Sequence, residues 1–218
     1  MKSKKGLALL LIALCLVISV TIGVTVAFMT DVQDKSNTFT VSDAALKVVE
    51  EEWDKLEKED KTVYPGRTIT KDPASVNTGT ASLYVYLQVE IPRANVRTVA
   101  EDKVTVNDAK QQDLFSFTAN EGWYLVDDYV KEDDSAHVKV YAYIKGIVHS
   151  GEKTTTLFDS VTFLNVLEGE LPMDYSVSMP VFTYGIQSTY LEASGETLLA
   201  KLKNVYEEYK DVLTVNVK

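Results

Sequence analysis

Between positions 83 and 91 the chain alternates without a break, with Leu83, Val85, Leu87, Val89 and Ile91 on one side and Tyr84, Tyr86, Gln88 and Glu90 on the other. A period of two belongs to a strand, because successive side chains leave opposite faces of a pleated backbone. Such a segment must lie in a sheet with at least one covered face, and Pro92 is expected to end it.

The surrounding chain reads in the same way. Residues 37–49, carrying Phe39, Val41, Leu46, Val48 and Val49, predict a first strand with imperfect alternation. The charge-dense stretch 50–61 around Trp53 and Leu56 is expected to be a short helical turn or an exposed hairpin end. Pro65-Gly66 marks a turn before Thr68-Ile69-Thr70, and Pro73 and Asn77-Thr78-Gly79 mark a loop. Residues 93–121 are mixed and polar, with short apolar pieces at 104–106 and 114–117. Residues 123–130 and 137–144 predict a hairpin, and 154–166 and 176–191 supply two more β-rich segments.

Only near the end does the period change. Leu198, Leu199, Leu202, Val205, Tyr206 and Tyr209 fall on one helical face, with Ser194 as the expected N-cap. Many short strands and one late helix predict a mainly β fold, an antiparallel β-sandwich of jelly-roll type with a C-terminal helix.

The chain's beginning has another character. Lys2, Lys4 and Lys5 precede an uncharged apolar run over residues 7–20, and small residues follow up to Thr25-Val26-Ala27. This is the order of a secretory signal peptide, with cleavage expected after Ala27, Thr25 and Ala27 in the peptidase's small pockets, and Phe28 as the new N-terminus. Gly23 is a weaker alternative site. The competing reading is a retained membrane anchor, since no charge interrupts residues 6–30 and about 20 apolar residues span a bilayer.

Removing 27 of the 218 residues leaves 191, read as one jelly-roll-like domain over 28–218 whose first residues, 28–37, are a flexible segment. Three lysines depart with the signal, so a net charge of −10 becomes −13, which argues against nucleic acid as a partner. The single cysteine, Cys15, lies in the signal, and the large Leu14 before it argues against lipidation; the mature domain is left without a disulfide. It is read as soluble, touching a membrane only through the signal. Self-association is expected to be easier when its carboxylates are protonated or screened.

Chemistry has few carriers, so no catalytic residue and no cofactor is expected. The two histidines, His137 and His149, are not in His-Glu-x-x-His spacing, and both are expected to be solvated surface residues. No glycine-serine elbow is present, although a dispersed Ser-His-Asp set stays open. Asp127, Asp128, Asp133 and Asp134 bracket a predicted turn and are weak Ca²⁺ candidates; without an EF-hand order, a solvated charged loop is the competing reading, and no metal is assigned. Tyr84, Tyr86, Tyr141 and Tyr143 alternate with aliphatics on two predicted strands. They form either a cross-strand ladder under the C-terminal helix or an exposed strip for a protein partner or glycan.

Several short motifs, in order, resemble the TasA/camelysin family of Gram-positive biofilm-matrix proteins. They are Ala27-Phe28-Met29-Thr30-Asp31, Asn37-Thr38-Phe39-Thr40, Pro65-Gly66, Lys71-Asp72-Pro73, Val76-Asn77-Thr78-Gly79 with the strand after it, and more weakly Tyr184-Gly185-Ile186-Gln187. The resemblance is dense through residue 91 and thin from there to the C-terminus. Ser42 departs from it, since the family commonly has glycine there.

The resemblance implies a SipW-type signal removed by a dedicated signal peptidase and a jelly-roll subunit of a secreted matrix or cell-surface fibre. It also implies assembly into a homo-oligomeric filament, alone or with other matrix components, by donor-strand exchange. The donor would be the segment with Phe28, Met29, Asp31, Asn37 and Phe39, free once the signal is cut. Some camelysin relatives are described as metalloproteases, which is the rival activity, and a carbohydrate-binding or adhesive sandwich is the third.

Overall fold

In a computed structural model, residues 44–172, 176–188 and 197–215 are described, the last five as backbone only. The expected signal with Thr25 and Ala27, the donor segment from Phe28 to Phe39 and the expected cap Ser194 lie outside these residues.

The chain is mainly β, in antiparallel sheets with a C-terminal helix. In order, the elements are β1 (Leu46–Val49), α1 (Glu51–Lys55), β2 (Thr68–Thr70), β3 (Ala74–Asn77), β4 (Leu83–Val96), β5 (Lys110–Asp113) and β6 (Phe115–Ser116). They continue with β7 (Trp123–Val130), β8 (Ala136–Tyr143), β9 (Ser160–Phe163), β10 (Val181–Gln187) and α2 (Leu198–Val215). One sheet has the order β10-β4-β8-β7, with β5 on the far half of β4; a second has β2-β9-β6; and β1 pairs with β3. This arrangement is compatible with jelly-roll topology.

The alternation in β4 explains the layering. Leu83, Val85, Leu87, Val89 and Ile91 join Phe115, Val161 and Phe163 from the second sheet in one core. The opposite face, which carries Tyr84 and Tyr86, packs with Val138, Val140 and Ala142 of β8, Tyr184 and Ile186 of β10, and Leu202, Val205 and Tyr206 of α2. The strand is thus buried on both faces, by a sheet on one and a helix on the other. Thr197 caps α2, its hydroxyl accepting the Ala200 N–H at 3.2 Å.

Pro92 does not end β4, contrary to the sequence expectation; the strand runs on to Val96 with β5 as its new partner. The even-numbered main-chain groups of β4 face β10, and Glu90 N donates to Pro180 O at the last contact on that side. The donor that proline lacks falls where β10 has run out, so nothing is lost.

The four-tyrosine ladder does not form. Register pairs Tyr86 with Ala142 and Leu87 with Tyr141, which places Tyr84 and Tyr86 under α2 and Tyr141 and Tyr143 on the inter-sheet face. Tyr141 packs 6.1 Å from Phe117, and Tyr143 packs 5.1 Å from Trp123. An exposed strip does not form either, since Tyr84, Tyr86 and Tyr141 are 5%, 0% and 7% exposed.

Candidate functional site

The short helix α1 has no cap of its own, and its position is set by the loop between β2 and β3. Asp72 accepts the N–H groups of Glu52 and Trp53 at 3.0–3.1 Å, taking up donors that a helix N-terminus leaves open. Its neighbour Lys71 reaches Glu50 at 2.7 Å and lies 5.1 Å from the Trp53 ring centroid, while Lys61 lies over the same ring at 5.3 Å. Lys71-Asp72 therefore pins α1, with Trp53 held between two ammonium groups.

This pinned helix forms one wall of a cleft of about 1180 Å³. Its apolar lining comes from Val48 on β1, Ile69 on β2, Phe115 on β6, Val161 on β9 and Met179 and Val181 at the start of β10; Lys58 and Lys61 stand with Asp54 among its polar lining. β2 lends Ile69 to this lining and is an edge strand among the described residues, although Thr68 and Thr70 do not line the cleft themselves. Arg67 O accepts from Phe163 N and Lys71 N donates to Asp159 O, so the odd-numbered main-chain groups of this segment face β9. Thr68 and Thr70 turn theirs the other way, where no strand pairs with β2 among the described residues.

The four aspartates considered for Ca²⁺ are dispersed. Asp127 accepts the Tyr206 hydroxyl at 2.9 Å, Asp128 meets His137 and Lys139, Asp133 accepts from Ser135, and Asp134 lies 3.2 Å from Arg93 Nε. Among the described residues no three His, Cys, Asp or Glu side chains gather as metal ligands would. The hydrogen bonds from Ser135 hold the Asp133 carboxyl below the usual carboxylate range.

The histidines differ from each other. His149 is exposed as expected, with Nδ1 2.8 Å from the Ser82 hydroxyl, but among the described residues no carboxylate bonds to its ring to complete a triad. His137 is not a solvated surface residue. Its side chain is 19% exposed and sits between Asp113, 2.6 Å from Nδ1, and Asp128, on Nε2. Burial works to raise the Asp128 carboxyl, and the bonds from His137 and Lys139 outweigh it, leaving this group below the usual range.

No family model, curated protein or solved structure matches this chain. The cleft was not visible in the sequence, because it is assembled from short segments that lie as far apart as Val48 and Val181. The one local hint was Lys71-Asp72-Pro73, which stood out as a motif without a partner.

The other motif residues have structural roles. Asn77 is fully buried; its amide nitrogen donates to Ala81 O and Val148 O, and its amide oxygen accepts from Gly79 N. Gly66 takes a φ of +75°, as the turn before β2 requires. A Cβ on Gly185 would come within 2.7 Å of Leu46 Cδ1 and 2.9 Å of Leu83 Cδ1, so any larger residue would make these two leucines shift.

Proposed function

We propose that this chain is a secreted structural subunit of an extracellular matrix or cell-surface fibre, in which the N-terminal segment of one copy adds as a strand to the next. The observation that carries this reading is β2, whose outer edge is unpaired among the described residues and whose Ile69 lines a partly apolar cleft. An unpaired edge binds an extended chain through main-chain hydrogen bonds, and pockets next to it select side chains.

The segment that begins at Phe28 suits such a site. Phe28, Met29, Val32 and Phe39 supply apolar groups, and Asp31 and Asp34 supply charges opposite to Lys58 and Lys61. A contact between the front of one copy and the cleft of another is heterologous and need not close on itself, so it can extend into a filament. Cleavage by a signal peptidase after Ala27 would free the donor and start assembly outside the cell.

Deleting residues 28–37 from the mature chain is expected to abolish filaments in electron micrographs. Val177→Glu, which places a charge at a partly buried position of the cleft lining, is expected to do the same while leaving the donor intact. Filaments of unchanged yield and shape from either variant would sink strand donation at this cleft.

A further inference from the structure

His137 lies on β8, and its two ring nitrogens meet carboxylates from two other strands: Asp113 at the end of β5 and Asp128 on β7. A neutral imidazole has one N–H and one lone pair, whereas an imidazolium has two N–H groups. With both aspartates ionised, only the imidazolium donates to both. A neutral ring turns its lone pair towards one of them.

We propose that His137 is a proton-operated clamp that ties β5 and β7 to β8, and that loss of its proton releases the end of the β7–β8 hairpin. The surrounding charges fit this. From β4, Arg93 Nε lies 3.7 Å from Asp113 and 3.2 Å from Asp134, and from β8, Lys139 Nζ lies 3.4 Å from Asp128. Three cations therefore face three carboxylates while the ring is protonated, and one negative charge is left over when it is not.

The weaker arm is β7. Asp113 belongs to a strand paired with β4 and followed by the Leu114 N to Pro92 O bond, whereas among the described residues β7 pairs with β8 alone. The register of β7 also slips between Leu125 and Asp127, so residues 127–130 form a short ladder of their own with Asp128 inside it. A short ladder beyond a bulge opens locally at low cost. The clamp stands whether or not the chain forms fibres.

The test is amide hydrogen exchange on the full chain at pH 5 and pH 8, corrected for intrinsic exchange rates. Amides of residues 127–130 and 136–138 are expected to exchange about tenfold faster at pH 8, with the central part of β4 unchanged. His137→Gln, whose donors all sit on one amide nitrogen beside an acceptor oxygen and which does not titrate, is expected to show the fast level at both. Protection that does not change with pH, or a pH dependence retained in His137→Gln, would overturn the clamp.

Ring ¹⁵N chemical shifts of the unsubstituted chain give the same answer if the variant does not fold. Loss of the His137 ring proton and the rise in exchange must share one midpoint, and separate midpoints would also overturn it. His149, with a serine instead of carboxylates at its ring, is the internal control.

Discussion

Asn77 uses both amide protons and its carbonyl inside the protein, and it joins three separate pieces of backbone: residues 79, 81 and 148. Asn77→Ala would leave Ala81 O without that partner, whereas Val148 O keeps Leu83 N and Gly79 N keeps Ala45 O; a buried group left unsatisfied costs about 1–3 kcal/mol. The expected loss is about 1–3 kcal/mol in urea unfolding, and a loss below about 0.5 kcal/mol would mean that water replaces the amide. At this scale the sequence marked the right residues for an incomplete reason. Asn77-Thr78-Gly79 reads as a loop from its turn residues, but the contact to Val148 depends on pairing 71 positions away. His137 escaped for the same cause, since its partners Asp113 and Asp128 come from strands whose register no local pattern encodes.

The elements with strong periodicity were the most legible. Both β4 and α2 follow their apolar spacing, and the hairpin of β7 and β8 falls where alternation put it. What joins α2 to the sheet was less visible, because Tyr84, Tyr86 and Gln88 look like a polar face until the helix covers them. Tyr86 then donates to Leu202 O at 2.9 Å, and a buried polar chain runs from Tyr184 through Gln88 and Glu90 to Lys131. Burial raises the hydroxyl pKa of Tyr86, Tyr184 and Tyr206, and that of Tyr141 is pushed up to about 12.

A phenol whose pKa is raised by folding contributes stability that is fully present below its unfolded value, about 10, and lost as the pH climbs through the folded value. Stability should therefore fall from about pH 10 towards pH 12. In an absorbance titration at alkaline pH, these four tyrosines should ionise together with unfolding. Smooth, independent ionisation of every tyrosine while the fold persists would contradict the burial of this face.

At the scale of the whole molecule, the described residues form three sheets and a covering helix, and they leave a cleft lined in part by β2, whose outer edge is unpaired among them. Its walls come from β1, α1, β2, β6, β9 and β10, so no single stretch of sequence announces it. Strand donation is the proposal that joins this cleft to the N-terminal motifs.

The decisive measurement is a titration of the mature chain lacking residues 28–37 with a synthetic peptide of residues 28–39, followed through the fluorescence of Trp53 in the cleft wall. Strand donation predicts saturable one-to-one binding that Val177→Glu, at a partly buried position of the cleft lining, abolishes while Trp53 and the fold remain intact. A peptide that leaves the fluorescence unchanged, or binds the Val177→Glu variant equally well, would contradict it.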